Sequence, residues 1–170
     1  IGDSRTDGLF MFSGLSTSDF LCGVGMNLLT VVEDEDVLEA LQTNTYRNIY
    51  IQFGVNELGW PSAESFKNKY KVLIDLVKKY QPDATIYIES VIPVTKEYSD
   101  NNNIYTNAKV ESFNAKLSEL ATETGVKYID IIPVMCGDER VLPLAAGSVD
   151  GVHFNNKFNF RWLDAILETR

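Results

Sequence analysis

From about residue 62 to residue 80 the apolar side chains of Phe66, Tyr70, Leu73, Ile74 and Val77 recur at steps of three and four. That spacing lines one face of an α-helix, and Pro82 closes it. A second helix opens with Asn107 as its N-cap, carries Val110, Phe113, Leu117 and Leu120 on one face, and ends at Gly125. Glu33 to Gln42 predicts another, acidic at its start where the helix dipole favours negative charge, with Val37, Leu38 and Leu41 facing inward. Helix-length stretches also run from Arg5 to Gly14, with Leu9, Phe10 and Phe12 available to pack, and from Asn155 to Glu168, with Phe158, Leu163, Ile166 and Leu167 as buried positions. The runs Asn48 to Phe53, Ala84 to Glu89 and Val126 to Ile131 have the β-branched and aromatic content of strands. Phe20 to Gly25 reads as a short buried strand running into glycine, and Met26 to Val32 is apolar without a clear period. Val55 to Pro61, Val91 to Thr106 and Pro133 to Val149 read as irregular connections, the last broken by Gly137, Pro143 and Gly147.

Strands alternating with helices along the whole chain predict an α/β fold, a parallel sheet covered on both faces, in one domain spanning residues 1–170. In such sheets functional residues gather at the carboxyl ends of the strands. Ser4, Gly25, Asn56 and the loop after Glu89 all follow a predicted strand end. Ile1-Gly2-Asp3 reads as the end of a strand, so the natural chain is expected to extend further upstream.

Composition narrows the partners. The hydrophobic share of 45% and charged share of 23% fit a globular domain, and no apolar run approaches the roughly 20 residues of a membrane helix. With 24 acidic against 15 basic residues the net charge is -9, and no Lys/Arg stripe overrides it, so nucleic acid is not expected as a partner. Cys22 and Cys136 read as separate buried thiols, because a domain of this size needs no staple. Neither has a second ligand at metal spacing, and His153 is the only histidine, so neither a metal site nor a cofactor is expected.

Candidate chemistry lies at the two ends of the chain. A serine between a short apolar lead-in and a helix, as in Ile1-Gly2-Asp3-Ser4, sits where a strand-to-helix turn can expose a nucleophile, although Gly-Asp-Ser also suits an ordinary turn. A serine hydroxyl needs a base to take its proton, and imidazole fills that role near neutral pH. His153 is the sole candidate. A carboxylate must fix the tautomer of that base, and Asp150, three residues ahead with Gly151 between, can fold back onto the same loop. Acyl transfer further demands donors aimed at an oxyanion. The N–H of Ser4, the N–H at Gly25 and the side-chain amide of Asn56 can supply three, while Gly25 alone also fits a turn and Asn56 alone a loop cap.

The blocks Gly2-Asp3-Ser4, the glycine after the second strand, Gly54-Val55-Asn56-Glu57 and Asp150-Gly151-Val152-His153 resemble the signature blocks of the SGNH (GDSL-type) hydrolase superfamily, in family order. The resemblance implies a three-layer α/β/α, flavodoxin-like fold with a five-stranded parallel sheet of order 2-1-3-4-5. It implies a serine esterase or acylhydrolase with Ser4 as nucleophile, His153 as base and Asp150 as its partner. It also implies oxyanion roles for the N–H groups of Ser4 and Gly25 and for Asn56. Glu57 stands where the family pattern carries aspartate, and the run Gly23-Val24-Gly25-Met26 leaves the second donor open among Gly23, Gly25 and Met26. The Gly-Asp-Ser-Arg form resembles a bacterial subgroup of secreted or surface-attached domains acting on short or carbohydrate-linked esters, which implies an extracellular or cell-surface setting over a cytoplasmic one. Trp60 beside the Asn56 loop, with Tyr98 or Tyr105, is a candidate sugar-stacking wall, with simple packing as the alternative. An O-acyltransferase acting on a sugar hydroxyl and a non-catalytic carbohydrate binder are the alternative functions. A long-chain lipase is not, since no apolar lid helix is evident.

Overall fold

In the computed structural model, which describes residues 1–16, 19–146 and 150–169, the strand-rich segments align in one parallel sheet. β1 (Asn48–Ile51) pairs with β2 (Thr85–Glu89), and β2 with β3 (Lys127–Ile129). The register sets Ile51 beside Ile88 and Glu89 beside Ile129. Side chains alternate between the faces, as the period of two requires. Ile49, Ile51, Ile86 and Ile88 enter one core, while Tyr50 and Tyr87 stack on the other face with ring centroids 4.7 Å apart.

Each face has its own helical cover. α3 (Ala63–Tyr80) and α5 (Asn107–Thr124) pack on the isoleucine face, where the predicted stripes Phe66, Tyr70, Leu73, Ile74, Val77 and Val110, Phe113, Leu117, Leu120 are all buried. The Phe66 and Phe113 rings stack at 4.2 Å between centroids. α2 (Glu35–Thr43), capped by Asp34, adds Val37 and Leu41 to the same core. On the other face Leu9 of α1 (Ser4–Ser13), Met135 of α6 (Ile132–Cys136) and Phe158, Trp162 and Ile166 of α7 (Asn156–Leu167) form a second core. A short helix, α4 (Lys96–Asp100), lies in the connection after β2. Trp162 Nε1 donates to Glu89 Oε2 at 2.6 Å, so a buried carboxyl at the end of β2 is held by the last helix.

Five strands do not form. Among the described residues the sheet has three, and the two further tracks implied by the family order are single parallel bridges, Gly2 with Cys22 and Gly2 with Gln52. The reason is local. Asp3 already caps α1, and the chain after Cys22 turns at Gly23 to Met26, so neither segment continues as a ladder. Other boundaries shift too. Thr106, not Asn107, caps α5, because the Asn107 amide is spent on the backbone of Val94 at both N–H and C=O. The connection at 133–149 is not wholly irregular: Ile132–Cys136 forms a helical turn with a proline at its start, where the missing N–H costs nothing. Residues 147–149 of that connection lie outside the described residues. α7 buries Trp162 in place of Leu163 and Leu167, and Phe12 of α1 is exposed. Cys22 and Cys136 are free thiols, half-buried and buried, and burial pushes them up to about 11 and about 12.

Candidate active site

Ser4 is the first residue of α1. Asp3 places it there: its backbone is extended, and its Oδ1 accepts from the Arg5 N–H at 2.9 Å, the bond expected of an N-cap. Asp3 is fully buried, and desolvation pushes its carboxyl up against the opposing pull of Arg5. The serine hydroxyl thus stands at a helix N-terminus, where the first N–H groups have no partner within the helix.

His153 reaches the serine from the loop before α7. Ser4 Oγ and His153 Nε2 are 2.9 Å apart, and His153 Nδ1 and Asp150 Oδ2 are 2.5 Å apart. The other carboxylate oxygen, Asp150 Oδ1, accepts from the N–H groups of Val152 and His153 at 2.8 and 2.9 Å. One carboxylate therefore closes the loop and orients the ring. With the Nδ1 proton on the side of Asp150, Nε2 is the acceptor for the serine proton. The turn requires Gly151: its φ is +73°, and a Cβ there would lie 2.7 Å from Thr95 Oγ1 and 2.9 Å from Tyr98 Cβ. The loop rests on the segment after β2 through the Thr95 N–H, which donates to the Gly151 carbonyl at 2.9 Å.

Asn56 follows a second forced turn. Gly54 has φ +142°, and a Cβ there would come 2.2 Å from Val91 Cγ2, so only glycine lets the chain leave the sheet under Val91. Asn56 Nδ2 donates to the Met26 carbonyl at 2.9 Å, and Glu57 Oε1 accepts from the Leu28 N–H at 2.8 Å. Two consecutive side chains thus pin the loop that carries Gly23, Gly25 and Met26. Within it the Met26 N–H donates to the Gly23 carbonyl, while Gly25 is exposed with φ +78°. A groove of about 460 Å³ opens beside Gly25 and Met26, with Thr30, Asp34 and Asp36 in its polar lining.

The structure brings Ser4, His153 and Asp150 into one hydrogen-bonded chain and ties Asn56 to the Gly25 loop. Trp60 is half-buried and packs against the core beneath α3. Tyr98 meets Tyr105 edge-on at 6.4 Å and borders Gly151. Among the described residues no group of three or more His, Cys, Asp or Glu is placed to hold a metal ion, and no helix is long and apolar enough to cross a membrane.

Two charged residues that border the site are buried, which the sequence did not signal. Arg5 is buried, and its guanidinium donates to the carbonyls of Val152, Ile92 and Pro93. The only signal was its place next to Ser4. Glu57 is buried as well, and desolvation pushes its carboxyl from 4.5 to about 7, partly offset by the Leu28 N–H. Between those values the folded protein holds a proton that the unfolded chain has lost. Stability therefore falls as pH rises from 4.5 to about 7, by on the order of 3 kcal/mol from this group. Glu57→Gln is expected to flatten this slope: the drop in melting temperature between about pH 5 and about pH 8 should be smaller in the variant. Equal drops in the two proteins would contradict the assignment.

Residues 1–159 match the GDSL-like lipase/acylhydrolase family. The chain belongs to that family, which places it among hydrolases acting on ester bonds. No curated protein matches it in sequence. Solved structures share its fold. A protein from Streptococcus pneumonia, provisionally named a platelet activating factor, superposes with a TM-score of 0.82 at 21% identity, over 99% of this chain and 80% of its own. An acetyl xylan esterase superposes with a TM-score of 0.69 at 17% identity, over 99% of this chain and 96% of its own. A peptidoglycan O-acetylesterase gives 0.69 at 15% identity, over 87% of this chain and 44% of its own.

Proposed function

We propose that the protein is a serine esterase that removes short acyl groups, acetyl above all, from carbohydrate hydroxyls. The observation that carries this reading is the chain Ser4 Oγ, His153 Nε2, His153 Nδ1, Asp150 Oδ2, with gaps of 2.9 and 2.5 Å. In the reaction His153 Nε2 takes the Oγ proton as Ser4 Oγ bonds to the acyl carbon, and Asp150 stabilises the imidazolium without taking its proton. The N–H of Ser4, the Asn56 amide and the N–H of Gly25 face the oxyanion, with Gly23 the alternative to Gly25, since the Met26 N–H is engaged. The imidazolium then protonates the departing alkoxide, leaving the acyl group on Ser4. Water attacks that ester with His153 again as base, and the proton returns to Ser4 Oγ as the acid leaves.

Three features support a small acyl group and a polar alcohol. The His153 and Asp150 side chains are 45% and 49% exposed, so the site is open, not sunk in an apolar tunnel. The groove beside Gly25 is lined by Thr30, Asp34 and Asp36, which suit hydroxyls. The fold is shared with esterases of acetylated xylan and peptidoglycan. Polymeric glycan substrates agree with a setting outside a bacterial cell.

Acetate release from acetylated xylan and O-acetylated peptidoglycan fragments, compared with hydrolysis of acetyl and long-chain aryl esters, tests this. Acetate release together with a preference for the acetyl aryl ester is expected. Preference for the long chain, or acyl transfer exceeding hydrolysis once a sugar acceptor is present, would overturn it.

A further inference from the structure

Asp150 shapes the loop that carries His153 through its bonds to the Val152 N–H, the His153 N–H and His153 Nδ1. Arg5 ties that loop to α1. Its Nε donates at 3.1 Å to the carbonyl of Val152, the residue before His153, and its Nη1 and Nη2 donate to the carbonyls of Ile92 and Pro93 after β2. Its guanidinium carbon lies 5.0 Å from the centre of the Phe154 ring, the residue after His153. That same post-β2 segment holds the loop at Gly151 through Thr95 N–H. Three parts of the chain that are distant in sequence therefore close on one side chain: the helix start that carries Ser4, the loop that carries His153 and the exit of β2. A buried cation is expensive unless hydrogen-bonded, and Arg5 is 1% exposed. The planar fork can serve carbonyls in several directions at once, whereas a lysine ammonium is a point donor on a flexible stem.

Resting on the serine-esterase reading, we propose that Arg5 is a positioning residue that fixes the Ser4–His153 separation by gripping the Val152 carbonyl. It touches neither substrate nor reacting atoms in this role. Misplacement by about 1 Å can cost about 100-fold in rate.

Arg5→Lys and Arg5→Met test it, with folding checked by circular dichroism and thermal unfolding. Each should lower kcat on a short-chain aryl ester by about 100-fold while KM stays within about twofold. A structural role alone would not move the second readout. His153 is the only histidine, so its imidazole nitrogen resonances are read without ambiguity. Ser4→Ala should shift the Nε2 resonance in the parent protein and leave it unmoved in the Arg5→Met or Arg5→Lys background. The Nδ1 signal, held by Asp150, should stay the same throughout. Should Arg5→Met not fold, Arg5→Lys, which keeps the charge, carries both measurements. A kcat within about threefold of the parent, or an Nε2 shift on Ser4→Ala that persists without Arg5, would overturn the proposal. If the parent hydrolyses no ester, the esterase reading fails, and the resonance comparison still decides the part played by Arg5.

Discussion

Ser4→Ala will lower kcat on a short-chain aryl ester by about 10⁴-fold or more, with KM nearly unchanged. His153→Ala will do the same, and the double variant will be little worse than either. The reason is that one proton transfer is shared between two groups. A serine hydroxyl without a base is a weak nucleophile, and an imidazole without the hydroxyl 2.9 Å away has no proton to take. Removing either partner loses the step whole, so the effects do not add. Folding should be spared. Ser4 and His153 are each only partly buried, and neither belongs to the two hydrophobic cores. Steady-state kinetics of the three variants, with melting curves alongside, check both halves of the expectation. Additive losses would mean that the two residues act in separate steps.

Asn56→Ala will cost about 10² to 10³ in kcat, the range for deleting one oxyanion donor. The Asn56 amide has two protons, and one is directed at the Met26 carbonyl at 2.9 Å. That bond orients the amide and also pins the loop of Gly25. Truncation therefore removes a donor and loosens its neighbour, while the loss in stability should be about 1 kcal/mol, the net worth of one hydrogen bond. A fall in kcat much larger than the change in KM is the expected signature. A variant that keeps kcat within about tenfold of the parent would remove Asn56 from the oxyanion site.

What could be read from the sequence was what repeats or what is unique. The α3 and α5 stripes were legible because apolar positions at helical spacing have no other common explanation. β1 and β2 were legible from β-branched and aromatic runs. Ser4, Asp150 and His153 stood out because a single histidine leaves one choice of base, and the structure places all three within hydrogen-bond reach. The strand count was missed for a local reason: the Asp3 cap and the turn at Gly23 to Met26 stop both tracks, so Gly2 meets Cys22 and Gln52 by one bridge each. The other misses come from contacts made at long range. The cap of α5 shifted to Thr106 because Asn107 is occupied by Val94, thirteen positions away in sequence. Nothing in the sequence showed what would partner Arg5 or Glu57: Arg5 finds its partners at Ile92, Pro93 and Val152, and Glu57 at Leu28. Trp162 is turned inward in place of Leu163, and its indole N–H meets Glu89 on the sheet face that α7 covers.

The most direct test of the account is covalent labelling with a serine-directed organophosphonate, read by intact mass and then by peptide mapping. The account predicts a single adduct, on Ser4, absent from Ser4→Ala and formed far more slowly in His153→Ala. An unlabelled Ser4 in a protein that still turns over esters would contradict it.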